Sequence, residues 1–221
     1  MFPDPRRRSI KICGITQPQQ AAVIFALGAD AVGINLWPKS KRHMPLEVAM
    51  NSLQDVAAKH ALVAVLVNAD AALLDGAVSC QLFQALQLHG DETPAEVGRL
   101  MERGVNVIKA LQVRDVASLA QIGEFPCESI LLDAYNPGTY GGGGHAFPWE
   151  LAVRAKEMFP AKQFLLSGGL TPENVRDAVK QTQPVAVDVA SGVEYQPGGK
   201  DLLQVARFIE GARAGWGLLT P

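Results

Sequence analysis

Eight short apolar runs, many of them β-branched, recur along the chain, separated by stretches of helical character. The runs are "SIKIC" from Ser9, "AVGINL" from Ala31, "ALVAVLV" from Ala61 and "QALQLH" from Gln84. "VNVIKAL" from Val105, "SILLD" from Ser129, "QFLLS" from Gln163 and "VAVDVA" from Val185 complete the set. Several are apolar at nearly every position rather than at alternate ones. That pattern suits parallel strands covered on both faces.

The intervening segments carry helix punctuation. "PQQAAVIFALGA" has Pro18 near its first turn and Gly28 near its end, both favoured positions. "TPENVRDAVKQT" predicts a helix capped by Thr171 with Pro172 at its first position. "PAEVGRLMERG" and "DVASLAQIG" each close on glycine, as a helix running into a strand often does. Strand followed by helix, eight times over in one domain, predicts an α/β fold of the closed (β/α)8 TIM-barrel type spanning 1–221. A doubly wound sheet is the rival. It would more often use fewer strands and place a glycine-rich phosphate loop after the first, where this chain has "CGIT".

Composition narrows the function. A net charge of -2 over 221 residues gives no general attraction for nucleic acid or an anionic membrane. The basic cluster Arg6, Arg7 and Arg8 is read as part of a flexible, solvated tail over residues 1–8. Cys13, Cys80 and Cys127 are odd in number and scattered, so neither a disulfide framework nor a metal-type pair stands out. No apolar stretch approaches membrane-spanning length, and a reducing cytoplasm is the expected setting.

In such a barrel the C-terminal strand ends build the active site. Here they offer Cys13, Arg42, Asn68, His89, Lys109, Asp133, the "SGG" of Ser167 to Gly169 and the "DVASG" of Asp188 to Gly192. His89 is read as a structural histidine bonding a neighbouring loop, and Lys109 as a buried lysine needing a carboxylate from an adjacent strand. The glycines after strands seven and eight suit a phosphate held by backbone N–H groups. "YGGGGHAFPW", Tyr140 to Trp149, is equally readable as a lid over ligand or as a plain surface loop, with His145 an exposed residue within it.

With those residues in place, the chain resembles the phosphoribosylanthranilate isomerases of tryptophan biosynthesis. "KICGIT", "GADAVGINLWPKSKR", "LQLHG", "LLDAYNPGTYGGGGHAFPW", "LLSGGLTPENV" and "VDVASGVEYQPGGKD" carry the resemblance, in the family's order and over nearly the whole chain. The resemblance implies an eight-stranded barrel, no cofactor, no metal, and a small phosphorylated substrate. It implies an Amadori rearrangement of N-(5-phosphoribosyl)anthranilate by general acid–base catalysis, in a monomer or a homodimer. By position, Cys13 matches the general base and Asp133 the general acid. Arg42 matches the residue at the anthranilate carboxylate, and Asp188 a carboxylate near the bridging nitrogen. Gly169, Ser191 and Gly192 match the phosphate loops.

The chain departs from the family's pattern at Gly143, Pro148 and Lys41, which bears on rate rather than on reaction type. The rivals are the histidine-pathway isomerase, which has an aspartate where Cys13 stands, and indole-glycerol-phosphate synthase, which needs a lysine and glutamate set. A non-catalytic sensor of phosphorylated sugars would use the same fold without turnover.

Overall fold

A computed structural model describes residues 2–3, 7–134 and 147–218 of the chain. Its barrel strands are β1 (Ser9–Cys13), β2 (Ala31–Asn35), β3 (Ala61–Leu66), β4 (Ala85–Leu88), β5 (Val107–Val113), β6 (Ser129–Ala134), β7 (Gln163–Leu166) and β8 (Ala186–Val189). They pair in sequence order, all parallel, and β8 pairs back onto β1 to close the barrel. Each apolar run of the sequence supplies one strand.

The double covering of the strands is visible in how the core divides. Ala31, Val63, Ala85, Ile108, Ala110, Leu131, Leu165 and Ala186 pack together inside the ring. Their neighbours along the strands, such as Val32, Leu62, Leu86 and Ile130, join a larger cluster with helix residues. Successive side chains of a strand point to opposite faces, so one layer fills the barrel and the other seats the helices. On β1 this alternation sends Ile10 and Ile12 outward and leaves Lys11 and Cys13 for the interior.

The helices are α1 (Pro18–Ala26), α2 (Leu46–Ser52), α3 (Gln54–Ala57), α4 (Ala71–Ser79), α5 (Pro94–Glu102), α6 (Trp149–Met158), α7 (Val175–Thr182) and α8 (Leu202–Gly215). α5 opens with a capping box between Thr93 and Glu96. Two expected helices differ. α7 begins after Thr171–Pro172, because the Asn174 amide is spent on the loop before it: its Oδ1 accepts from Thr171 N at 2.8 Å and its Nδ2 donates to Gly169 O at 2.9 Å. The segment after β5 forms a 3-10 helix over Ala117–Glu124, since Asp115 and Ser118 bond the local backbone instead of continuing a regular turn.

The N-terminal segment also differs from a wholly solvated tail. Phe2 is 2% exposed and packs into the interior cluster of the ring, and its carbonyl accepts from Asn106 Nδ2 at 2.7 Å. Burying a phenylalanine rather than leaving it in water is worth roughly 1.5–3 kcal/mol. Arg7 and Arg8 are exposed, and Arg8 donates to Pro184 O at 3.0 Å. The glycine-rich loop with Gly143 and His145 lies outside the described residues. Among the described residues no helix is long and apolar enough to cross a membrane.

Candidate active site

At the C-terminal end of the barrel a cavity of about 590 Å³ opens between the strand ends. Cys13, Arg42, Asp133, Asp188 and Ser191 all line it, brought together from β1, the loop after β2, β6, and β8 with its following loop. Gly169 and Gly192 are not on its wall. Ser167 and Ser191, from the same two loops, are. A Cβ on Gly192 would run into the carbonyl oxygen of Leu170, so the loops after β7 and β8 approach each other too closely there for any side chain. Asn68 lies apart from the cavity; its side chain joins the loops after β3 and β4 through Asp91. Lys109 also lies apart, on the helix-facing side of β5. Its Nζ bonds Leu88 O, Gly90 O, Ala110 O and Glu92 Oε2, so the needed carboxylate comes from the loop after β4.

Cys13 ends β1 with its side chain buried, in a charged environment that the apolar run did not announce. Lys11, two residues earlier on the same face, is fully buried and places Nζ 2.8 Å from Asp188 Oδ1. Gly33 on β2 makes room: a Cβ there would stand 2.7 Å from the Cys13 sulfur and 3.0 Å from Lys11 Nζ. Burial pushes the Cys13 thiol up from its ordinary value, Lys11 pulls it down, and Asp188 adds to the rise. Burial acts to depress Lys11, but Asp188 and Cys13 outweigh it and hold its ammonium above the ordinary lysine value. The thiol thus has a cation at hand whose pull is partly spent on Asp188.

Gly14 follows Cys13 with φ +78°, a left-handed conformation that favours glycine, and the Arg42 side chain lies where its Cβ would stand. Arg42 donates from Nε and NH2 to the two oxygens of Glu194, each at 2.8 Å. Buried Lys200 donates to Glu194 Oε1 at 2.7 Å and to Ala190 O at 3.1 Å. Burial alone would raise Glu194, yet Arg42 and Lys200 together hold its carboxyl below the ordinary range. The fork to Glu194 fixes the guanidinium at the cavity wall. Glu194, Lys200 and Gly33 escaped the reading of the sequence as site residues, although the first two lie within "SGVEYQPGGKD".

Asp133, at the end of β6, is 4% exposed; its Oδ1 accepts from Ala134 N at 2.9 Å and its Oδ2 stands 3.2 Å from His89 Nε2. His89 is therefore more than a loop anchor: it touches the residue matched to the general acid. Its other ring nitrogen stands 3.0 Å from Gln87 Nε2. The other two cysteines are placed structurally, Cys80 against Ala77 O and Cys127 against Ser129 O. Among the described residues no group of three or more His, Cys, Asp or Glu is placed to hold a metal ion.

Comparison with known proteins fits this geometry. Residues 10–211 match the family model described as N-(5'phosphoribosyl)anthranilate (PRA) isomerase. The chain is 42% identical over 205 residues to the N-(5'-phosphoribosyl)anthranilate isomerase of Geobacter metallireducens, covering 93% of this chain and 98% of the relative. That of Geobacter sulfurreducens is 43% identical over 208 residues, with 94% and 98% covered. Among solved structures, the phosphoribosyl anthranilate isomerase of Thermotoga maritima superposes with a TM-score of 0.83 at 39% identity, covering 94% of this chain and 99% of that one. A further isomerase structure, solved in complex with reduced 1-(o-carboxyphenylamino)-1-deoxyribulose 5-phosphate, gives a TM-score of 0.78 at 37% identity, with 94% and 99% covered. A barrel whose first strand ends in a thiol and whose sixth ends in a carboxylate, matched over nearly its full length, belongs to the phosphoribosylanthranilate isomerase family.

Proposed function

We propose that this chain converts N-(5-phosphoribosyl)anthranilate to 1-(2-carboxyphenylamino)-1-deoxyribulose 5-phosphate, acting as a single (β/α)8 barrel domain without a cofactor. The observation that carries this reading is that Cys13 and Asp133 open onto one cavity from strands separated by β7 and β8. A sugar held between them meets an acid on one side and a base on the other.

Asp133, in its protonated form, delivers a proton to the furanose ring oxygen. The C1–O bond breaks and the ring opens to a Schiff base. Cys13, as thiolate, then removes the proton from C2, giving an enolamine that tautomerises to the ketone. Lys11 favours the thiolate by its charge. Asp188, tied to Lys11, faces the substrate's bridging nitrogen, and Arg42, aimed by Glu194, takes the anthranilate carboxylate with a planar guanidinium. Gly169, Ser191 and Gly192 line the close approach of two loops where backbone N–H groups suit a terminal phosphate.

Each residue in these roles comes from one barrel, so a monomer and a homodimer both hold complete sites. The three free cysteines fit a reducing, cytoplasmic setting, and neither nucleic acid nor membrane is part of the reading.

The test follows the fluorescence of freshly generated phosphoribosylanthranilate with wild type, Cys13→Ser and Asp133→Asn. Consumption by wild type and its loss in both folded variants supports the assignment. A wild type that binds the compound without consuming it overturns the isomerase and favours a sensor of phosphorylated sugars.

A further inference from the structure

After β8 the chain makes a 3-10 turn over Ser191–Val193 and then a small antiparallel hairpin, β9 (Glu194–Gln196) and β10 (Gly199–Lys200), before α8. Lys200, at the end of this hairpin, is 2% exposed. Its ammonium donates to Ala190 O at 3.1 Å and to Glu194 Oε1 at 2.7 Å. Those residues stand immediately before and immediately after the turn, so one buried cation holds both of its ends. The same carboxylate, Glu194, grips Arg42 through its two oxygens.

Glu194 does not need Lys200 for neutrality. The two-donor fork of Arg42 already answers its single negative charge. A second cation gives the cluster of Arg42, Glu194 and Lys200 a surplus positive charge. Burial holds Lys200 below the ordinary lysine value against the upward pull of Glu194. An apolar side chain would avoid that cost of burial. The two partners that Lys200 joins give the ammonium a use.

We propose that Lys200 is a positioning residue that ties together the two anion-binding ends of the site, the turn bearing Ser191 and Gly192 at the phosphate end and Arg42 at the anthranilate end. The proposal rests on the isomerase reading for the identity of the two anions. Bonded to Ala190 O, Lys200 fixes the turn against the end of β8. Bonded to Glu194, it fixes the carboxylate where that group can hold Arg42. Removing the ammonium loosens both. Lys200 touches no substrate in this role and acts through Ala190 and Glu194.

The surroundings set Lys200 in place without any ligand. Thr16 Oγ1, from the loop after β1, donates to Gly198 O at 2.7 Å, and Gln20 Nε2 of α1 donates to Lys200 O at 3.2 Å. Asp201 N donates to Val193 O at 2.9 Å, and the Asp201 side chain caps α8. The charge of Lys200 also reaches the Cys13 thiol, with a smaller pull than that of Lys11. Turnover alone therefore mixes two effects, and binding separates them.

The deciding measurement is the binding of two separate probes, inorganic phosphate and anthranilate, to the free protein by NMR chemical-shift titration. Lys200→Met, of similar length and without charge, is expected to weaken both by about tenfold. Arg42→Lys should weaken anthranilate alone, and Gly192→Ala phosphate alone. Loss at both ends from one substitution is the mark of the link. Lys200→Gln keeps a donor in the buried place and should weaken both probes by about threefold. It carries the test if thermal unfolding shows that Lys200→Met does not fold. In turnover, either folded variant should raise KM more than it lowers kcat.

Weakening of one probe alone, or unchanged binding of both in a folded variant, overturns the proposal. So does a wild type that binds neither probe. A merely structural lysine would lower the unfolding temperature and leave binding of both probes as in wild type. A wild type that binds both and does not consume phosphoribosylanthranilate sinks the isomerase reading, while the pattern of binding still decides on Lys200.

Discussion

Lys11 Nζ and Asp188 Oδ1, 2.8 Å apart, form a buried ion pair across the seam where the barrel closes, with the Cys13 sulfur beside it. The pair sets the charge felt by the thiol. Removing this cation leaves Cys13 with burial and an unbalanced Asp188, both of which favour the neutral thiol, against only the smaller pull of Lys200. Lys11→Met is therefore expected to raise the Cys13 titration by about one unit or more and to move the base limb of the kcat–pH profile with it. Ultraviolet thiolate absorbance against pH, with Cys13→Ser subtracted, measures it; an unmoved titration would show that Lys11 does not tune the thiol.

Glu194 gives the protein an acid-sensitive contact. Its folded-state pKa lies below the ordinary glutamate value, near about 4.3 in an unfolded chain. The folded state then binds its proton less readily than the unfolded one. The stability contributed by Glu194 is fully present above that unfolded value and fades as pH falls through the lower folded one. Urea midpoints of wild type and Glu194→Gln should differ by a constant amount above about pH 5.5 and converge below the glutamate range.

Arg42 grips Glu194 through two donors at 2.8 Å, a fork that lysine cannot reproduce. Arg42→Lys is expected to raise KM for the anthranilate substrate about tenfold, with kcat changed much less. Steady-state kinetics separates the two. A fall confined to kcat would place Arg42 in the chemistry instead of in carboxylate binding.

At Gly192 the obstacle to any side chain is backbone, the carbonyl of Leu170. Gly192→Ala should push the loops after β7 and β8 apart, costing about 1–3 kcal/mol of stability. It should also weaken inhibition by inorganic phosphate, and unchanged inhibition would remove this loop from the phosphate site.

Phe2 offers a test at the other end of the barrel. Phe2→Ala empties part of the interior cluster and is expected to cost about 3 kcal/mol, read as a lowered urea midpoint with the active-site titrations unchanged.

The strands were legible because each is apolar at nearly every position, a signal that burial on both faces imposes directly. Their C-terminal residues Cys13, Asp133 and Asp188 could be read as soon as the strands could. What lay hidden depended on closure of the ring. Lys11 reads as one polar residue inside an apolar run, and only the β1–β8 register, which sets it beside Asp188, gives it a partner. Gly33 looks like an ordinary strand glycine until Cys13 is seen to need its missing side chain. His89 likewise gains meaning from Asp133, more than forty residues away along the chain. The late start of α7 and the 3-10 segment after β5 were hidden for a different reason. There, Asn174 and Ser118 side chains compete with the helix for backbone groups, and propensity does not report that contest.

The Lys11–Asp188 pair has a consequence for how the protein becomes active during its synthesis. Lys11 leaves the ribosome well before Asp188, which follows it 177 positions later. Until β8 has docked, Lys11 has no carboxylate, Cys13 has no enclosing wall, and Phe2 lacks Ala186 among its neighbours. A nascent chain can therefore carry both Cys13 and Asp133 and still lack the charged surroundings of the thiol. Contacts so distant in sequence form slowly, and the pairing of β8 with β1 is also what completes the thiol's surroundings.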